Sequence, residues 1–353
     1  MKIAQVPPLY EAVPPRLYGG TERVVAHLSD ALVSLGHEVT LFGSAESQTQ
    51  ARLAVVRDQA IRLDPALHKS DLAAHMTQVS EVRRRAAEFD VIHFHTDMIH
   101  FPFFEDMPGK VITTLHGRLD MKDLPAVYRR WRQFPLVSIS DDQRKPLAFA
   151  NWAGTVHHGF PTDLYRFQPQ PQGYLAFLGR ISPEKGPDRA VGIARRVGRP
   201  LKMAAKVDAA DQAYFEDRIQ PLLYDPGVEF IGEIGDDRKC AFLGGADALL
   251  FPINWPEPFG LVMIEAMACG TPVIAYGCGS VPEVIEDGVT GFIVSNEDEA
   301  VRALGRIHTL DRAEIRKRFE LRFSAVAMAR RYVDLYGRLG RPSGLPVVLA
   351  ANA

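Results

Sequence analysis

Cysteine is scarce: there are three in 353 residues, Cys240, Cys269 and Cys278. Their number is odd and their spacing is not that of metal ligands. This excludes a disulfide-stapled scaffold or a zinc module and fits a reducing cytoplasm. No apolar run approaches the roughly 20 residues that a membrane-spanning helix needs. The opening MKIAQVPP reads as a strand, not as a signal peptide. A peripheral membrane contact is left open, with nothing in the sequence to support it. No charge sign dominates. A formal net charge of -2 argues against nucleic acid, or an anionic membrane, as a bulk electrostatic partner. Low-complexity segments are absent. So is G-x-G-x-x-G, and a nicotinamide-type fingerprint is not supported.

What is present is a repeated alternation of strand and helix over a length that suits about two domains. KIAQV (2–6), EVTLF (38–42), DVIHFH (90–95), KVITTLH (110–116), PLVSIS (135–140) and TVHH (155–158) read as strands. TERVVAHLSDALVSLG reads as a helix with Val24, Leu28, Ala31, Leu32 and Leu35 on one face, Thr21 as N-cap and Gly36 as C-cap. The stretch 161–173 is rich in Pro and Gln and reads as a linker. The alternation then restarts with YLAFLGR (174–180), LKMAAKV (201–207), VEFIGEI (228–234), ALLFP (248–252), PVIAY (272–276) and GFIV (291–294). Strands separated by helices imply parallel sheets. The expected division is 1–165, 174–322, and a C-terminal helix and tail over 323–353 that packs back on the first domain. Two open α/β sheets facing one another leave a cleft at the carboxyl ends of their strands, a preferred ligand site.

The stretch WPEPFGLVMIEAMACGTPVIA (255–275) holds Glu257 and Glu265 eight positions apart. Pro256 and Pro258 enforce an extended entry. Phe259-Gly260 then opens a helix ending near Gly270. Gly260 lets a ligand approach the backbone, and the first helical N–H groups are unpaired and electropositive. Leu261 and Glu265, four apart, share a face. On spacing alone the two glutamates read as a solvated helix residue, Glu265, and a turn residue, Glu257. In FLGRISPEKG (177–186), Arg180 and Lys185 suit a cluster of phosphate oxygens, or are a pair of surface cations. Gly19-Gly20 in LYGGTERVV lies between the first strand and first helix, as a phosphate-approaching turn or an ordinary one. His116 ends a strand in TLHGRLD, and His93 and His95 alternate on one strand face. The pairs Asp141-Asp142 and Asp236-Asp237 read as loop charges or helix starts rather than metal ligands.

The segment 255–275, with GSVPEVIEDGVTGFIV (279–294) after it, resembles the E-x7-E motif and downstream signature of the retaining glycosyltransferases of family 4. That resemblance is specific over roughly 174–294 and thinner before 160. It implies the GT-B fold, α/β with two Rossmann-like domains facing an interdomain cleft. It implies transfer of a sugar from a nucleoside-diphosphate sugar, UDP-sugar by preference, to an acceptor hydroxyl, with no metal and no other cofactor. Position by position, Glu265 would bind the ribose and Glu257 the donor sugar. Backbone N–H groups of Phe259, Gly260 and Leu261 would hold the sugar and diphosphate. Arg180 and Lys185 would neutralise the leaving diphosphate, with Gly19 and Gly20 beside it. His116 would stand near the reaction centre, and Glu233 and Ile234 would border the base. His95 and Asp97 are acceptor-side candidates. His158-Gly159 departs from the Asn-Gly of many relatives, and no role is carried onto it. A nucleotide-sugar epimerase on the same fold and a non-catalytic sugar-nucleotide binding protein are the rival expectations.

Overall fold

The computed structural model describes residues 1–16 and 19–339. Leu17, Tyr18 and the tail from 340, which includes RPSGLPVVLAANA, lie outside the described residues. The first sheet comprises β1 (Lys2–Val6), β2 (Glu38–Ser44), β3 (Arg52–Arg57), β4 (Val91–Phe94), β5 (Val111–Thr114), β6 (Leu136–Ser138) and β7 (Trp152–Thr155). Its order is β3-β2-β1-β4-β5-β6-β7, with every pair parallel. The second sheet comprises β8 (Tyr174–Arg180), β9 (Leu201–Lys206), β10 (Val228–Gly232), β11 (Ala246–Phe251), β12 (Val273–Tyr276) and β13 (Gly291–Val294). Its order is β10-β9-β8-β11-β12-β13, again all parallel. Both run outward from their first strand in the doubly wound manner, which puts the switch point, and the ligand crevice, beside β1 and β8.

Three local expectations need correction. RLAVVR forms the edge strand β3, which the sequence reading passed over; its residues are only half-buried, so they lack a core-facing stripe. The last strand of the first sheet is WAGT, not TVHH: the chain leaves the sheet at Thr155, and His157 and His158 run on toward the second domain. Thr21 is not a cap but lies inside the Gly20–Ser34 helix, whose N-cap is Gly19 with no side-chain bond. At the other end Gly36 does follow the last turn, and the N–H groups of Gly36 and His37 bond the Val33 and Leu32 carbonyls at 2.9 and 3.1 Å.

The chain crosses between the domains twice, and the two crossings lie side by side. Phe160 N donates to Phe323 O (2.9 Å), and Ala325 N donates to Phe160 O (2.8 Å). Ser324 caps the Ala325–Tyr336 helix, accepting from Ala327 N. That helix buries Met328, Ala329, Tyr332 and Tyr336 in the first domain's core, against Val24, Leu28 and Leu32 of the Gly20–Ser34 helix. Four further contacts fix the two domains face to face. Glu283 accepts from the backbone N–H groups of Asp141 (2.7 Å) and Asp142 (2.8 Å) and lies 3.2 Å from His157 Nε2. Arg23 pairs with Asp236. Phe259 lies edge-on to His158, with centroids 4.9 Å apart. Leu261 packs into both cores, and a Cβ on Gly20 would sit 3.4 Å from its Cδ1. Among the described residues no helix is long and apolar enough to cross a membrane.

Candidate active site

The centre of the cleft is the entry to the Leu261–Ala268 helix. Gly260 caps it in the left-handed region, φ 75°, with no room for a side chain: a Cβ would meet Met263 Cε at 2.9 Å and Phe251 Cζ at 3.1 Å. Ser280 holds the approach from behind. Its Oγ donates to Phe259 O at 2.8 Å and its N–H to Glu257 O at 3.0 Å. The N–H groups of Phe259, Gly260 and Leu261 have no acceptor among the described residues. Three adjoining donors at the positive end of a helix are therefore available to an anionic or hydroxyl-bearing ligand.

Glu257 sits at this mouth, 9% exposed, and its Oε2 accepts from Trp255 Nε1 (3.0 Å) and from Lys185 Nζ. The Lys185 ammonium also lies 5.0 Å from the centre of the Trp255 ring. Lys185 reaches this point because its loop is pinned to the Glu257 loop: Asn254 N donates to Glu184 O at 2.8 Å. Arg118 of the first domain lies over the Trp255 ring, 5.8 Å from its centre.

Arg180 ends β8 and turns toward acidic neighbours, Glu184 at 3.2 Å, Asp208 at 3.4 Å and Asp211 at 3.9 Å. Glu265, one turn into the helix, is 3% exposed. Its Oε1 accepts from Tyr165 OH (3.0 Å) and Lys239 Nζ (2.9 Å). Burial alone would raise this carboxyl, but Lys239, Arg23 and the Tyr165 hydroxyl outweigh it and hold the group below its ordinary value. Ile234 points into the core and Glu233 is exposed, both in the loop between β10 and the Asp236–Gly244 helix. The Asp236-Asp237 pair does open that helix.

On the first-domain side His116 follows β5. Its Nε2 lies 2.8 Å from His95 Nδ1, and its ring stacks on His158 with centroids 5.2 Å apart. The hydrogen bonds continue inward: His95 Nε2 to Gln5 Oε1 (2.8 Å), Gln5 Nε2 to Tyr336 OH (3.2 Å), Tyr336 OH to His93 Nδ1 (2.8 Å), and His93 Nε2 to Thr114 Oγ1 (2.7 Å). As the alternation on VIHFH required, the His93 and His95 rings share a face, with centroids 4.0 Å apart. Burial pushes His116 down to about 3 and keeps His93, His95 and His158 well below the usual histidine range. All four are neutral imidazoles at pH 7, able to exchange hydrogen bonds but not to supply positive charge. Asp97, just beyond β4, is exposed and adopts φ 51°, a conformation uncommon for a residue with a side chain.

Glu22 was missed by sequence reasoning. It lies in the first turn of the Gly20–Ser34 helix, 4% exposed, among Glu11, Arg62 and the backbone N–H groups of Glu11 and Glu22. Burial raises its carboxyl to about 7, and the N–H groups and Arg62 offset only part of that. A raised carboxyl binds its proton more tightly in the folded state. Its stabilising contribution is full below about 4.5 and is lost as pH rises through 7. The expected result is that Glu22→Gln melts higher than the native chain above pH 7, and that the difference vanishes near pH 4.5. Thermal melts across that range check it. Lys239, Glu283 and Gly279 were likewise not singled out. Only the residue types in GEIGDDRKC and GSVPE hinted at them, since their partners are remote in sequence.

Comparison with known proteins agrees with this geometry. The family model described as "Glycosyltransferase Family 4" matches residues 18–148, and that for "Glycosyl transferases group 1" matches 166–321. The chain is 26% identical over 346 residues to a phosphatidyl-myo-inositol mannosyltransferase of Mycobacterium leprae, covering 90% of each chain. It is 26% identical over 349 residues to a D-inositol 3-phosphate glycosyltransferase of Actinosynnema mirum, covering 82% of this chain and 84% of that one. Among solved structures, AviGT4, a glycosyltransferase involved in avilamycin A biosynthesis, superposes with a TM-score of 0.74 at 29% identity, over 96% of this chain and 98% of that one. Anabaena Alr3699/HepE, in complex with UDP-glucose, gives 0.70 at 18% identity, over 96% and 100%. The unpaired N–H groups at Gly260, the Lys185–Glu257 pair beside them, the two doubly wound sheets and these matches to both halves place the chain among the family 4 glycosyltransferases of the GT-B fold.

Proposed function

We propose that the chain moves a sugar from a nucleoside-diphosphate sugar, UDP-sugar being the first donor to test, to an acceptor hydroxyl with retention at the anomeric carbon. The observation that carries this is the convergence of three unpaired N–H groups, at Phe259, Gly260 and Leu261, with the Lys185–Glu257 pair at one helix mouth. As the glycosidic bond breaks, the sugar gains oxocarbenium character and the diphosphate gains negative charge. Donors already aimed at that charge lower the barrier more than they favour the ground state. In this reading the N–H groups and Lys185 hold the diphosphate, with Arg180 at its flank and Gly19 and Gly20 facing it across the cleft. Glu257 accepts from sugar hydroxyls, Glu265 from the ribose, and the backbone at Glu233 and Ile234 borders the base. His116 offers a neutral hydrogen-bonding edge to the donor sugar, while His95 and Asp97 belong to the acceptor side. The departing phosphate takes the acceptor proton on the face it leaves, so no protein nucleophile is required.

We further propose that no metal is needed, because the cationic work is done by Lys185 and the helix dipole. The reaction would take place in the cytoplasm, where Cys240, Cys269 and Cys278, all free thiols, would stay reduced. The test is incubation with UDP- and GDP-sugars and a panel of polyol acceptors, with and without a chelator, the product's anomeric configuration being read by NMR. Retained configuration, undiminished by chelator, is expected. Inverted product, isomerised donor in the absence of acceptor, or a covalent sugar adduct trapped on Glu257 would each overturn a stated part.

A further inference from the structure

We propose that Lys239 and Tyr165 are positioning residues that set one oxygen of the Glu265 carboxylate to read a ribose hydroxyl, so that the enzyme's preference for ribonucleotide donors depends on them. This rests on the reading of Glu265 as the ribose ligand of a nucleoside-diphosphate site.

Both protein donors converge on the same oxygen. Lys239 Nζ lies 2.9 Å and Tyr165 OH 3.0 Å from Glu265 Oε1. Oε2 receives no hydrogen bond among the described residues and is not an enclosed orphan. The two partners come from different parts of the fold. Tyr165 stands in the segment between the domains, packed edge-on against Phe160 with centroids 6.0 Å apart. Lys239 stands one turn into the Asp236–Gly244 helix, 3.3 Å from Asp236 Oδ1, while the other Asp236 oxygen takes Arg23 from the first domain.

Side chains anchored from two directions leave the carboxylate little rotational freedom, and a carboxylate this buried needs a cation to remain ionised. An ionised, oriented Oε2 accepts a strong hydrogen bond from a hydroxyl. A protonated or swinging carboxyl does not. Lys239 is spent on this carboxylate and on Asp236, so in this arrangement it holds the group that reads the ribose and not the diphosphate.

The experiment measures binding of UDP, 2′-deoxy-UDP and 3′-deoxy-UDP, or the GDP series if that binds instead, by titration calorimetry of the full chain. The native protein is expected to prefer the ribonucleotide over at least one deoxy form by about tenfold, the worth of one hydrogen bond to a charged group. Lys239→Met should bring that ratio close to one, and Lys239→Arg, which keeps the charge, should retain most of it. A Lys239 that merely supports the fold would lower the melting temperature and weaken all three nucleotides equally. Tyr165→Phe removes a single hydroxyl from a buried ring and should narrow the same ratio; it carries the test should Lys239→Met not fold. An undiminished preference in the folded variants overturns the proposal. A native chain that binds no nucleoside diphosphate, or that ignores both ribose hydroxyls, sinks the reading of Glu265 itself, a different and separately visible failure.

Discussion

Lys185→Ala is expected to lower kcat/KM for the donor by about a hundredfold to a thousandfold, the usual consequence of removing one preorganised donor from a developing anion. The Lys185 side chain is only 17% exposed and its partner Glu257 11%, so water cannot replace the lost ammonium efficiently. The deletion acts twice. It removes positive charge beside the unpaired N–H groups of Gly260 and Leu261, and among the described residues it leaves Glu257 with Trp255 Nε1 as its one remaining side-chain donor. Lys185→Arg should rescue only in part. The ammonium is a compact charge over the Trp255 ring, 5.0 Å from its centre, where a planar guanidinium presents its donors differently. In the double variant Lys185→Ala/Glu257→Gln, the unpaired charge is gone. Stability should return toward that of the native chain while activity does not, which separates the electrostatic role from the structural one. Steady-state kinetics with matched melting curves checks all three variants. Turnover by Lys185→Ala within threefold of the native rate would remove Lys185 from the reaction.

Gly279→Ala should be severely damaging, acting on fold and activity together. Gly279 has φ 57°, and a Cβ there would lie 2.3 Å from Glu257 N, 2.4 Å from Glu257 O and 2.7 Å from Pro256 C. Those are backbone atoms of the loop that presents Glu257, so relief of the clash means moving the entry to the Leu261–Ala268 helix itself. The adjacent Ser280 bonds to Glu257 O and Phe259 O would be strained by the same displacement. A loss of roughly 3 kcal/mol or more of stability is expected, with activity near background. Gly288→Ala provides the control. Its φ is 74°, but nothing lies within 4 Å of the added methyl. Only the conformational strain remains, about 1 kcal/mol. Chemical denaturation of both variants measures the difference. Equal losses would mean that close packing against the Glu257 loop is unimportant.

Most of the scaffold was legible because its signals are local. Alternating apolar runs and helical stripes gave eleven of the strands near their true positions, since burial imposes its period on neighbouring residues. The failures have the same root. β3 is an edge strand whose residues are half-buried, and β7 contains Ala153 and Gly154, small residues that carry little strand preference. Gly154 is small for a reason only packing reveals: a Cβ there would press on Leu335 at 3.1 Å, a side chain of the C-terminal helix. In the site, the helix mouth at Gly260 was readable from two prolines and a glycine ahead of an apolar run. The pairing of Glu257 with Lys185 was not, nor was the turning of Arg180 toward Glu184, Asp208 and Asp211.

By itself the sequence determined two α/β halves, a helix that begins at Gly260 with its N–H groups unspent, and the residue types that stand around it. Those features depend on φ preferences, capping and side-chain periodicity, all settled within a few residues. The tertiary structure alone decided which polar groups meet: Lys185 with Glu257 across 72 positions, Tyr165 with Glu265 across 100, His157 with Glu283 across 126, and Tyr336 with His93 across 243. Each of these contacts depends on how two sheets and two crossing segments are set against one another, a property of the whole packed core that no short window of residues encodes.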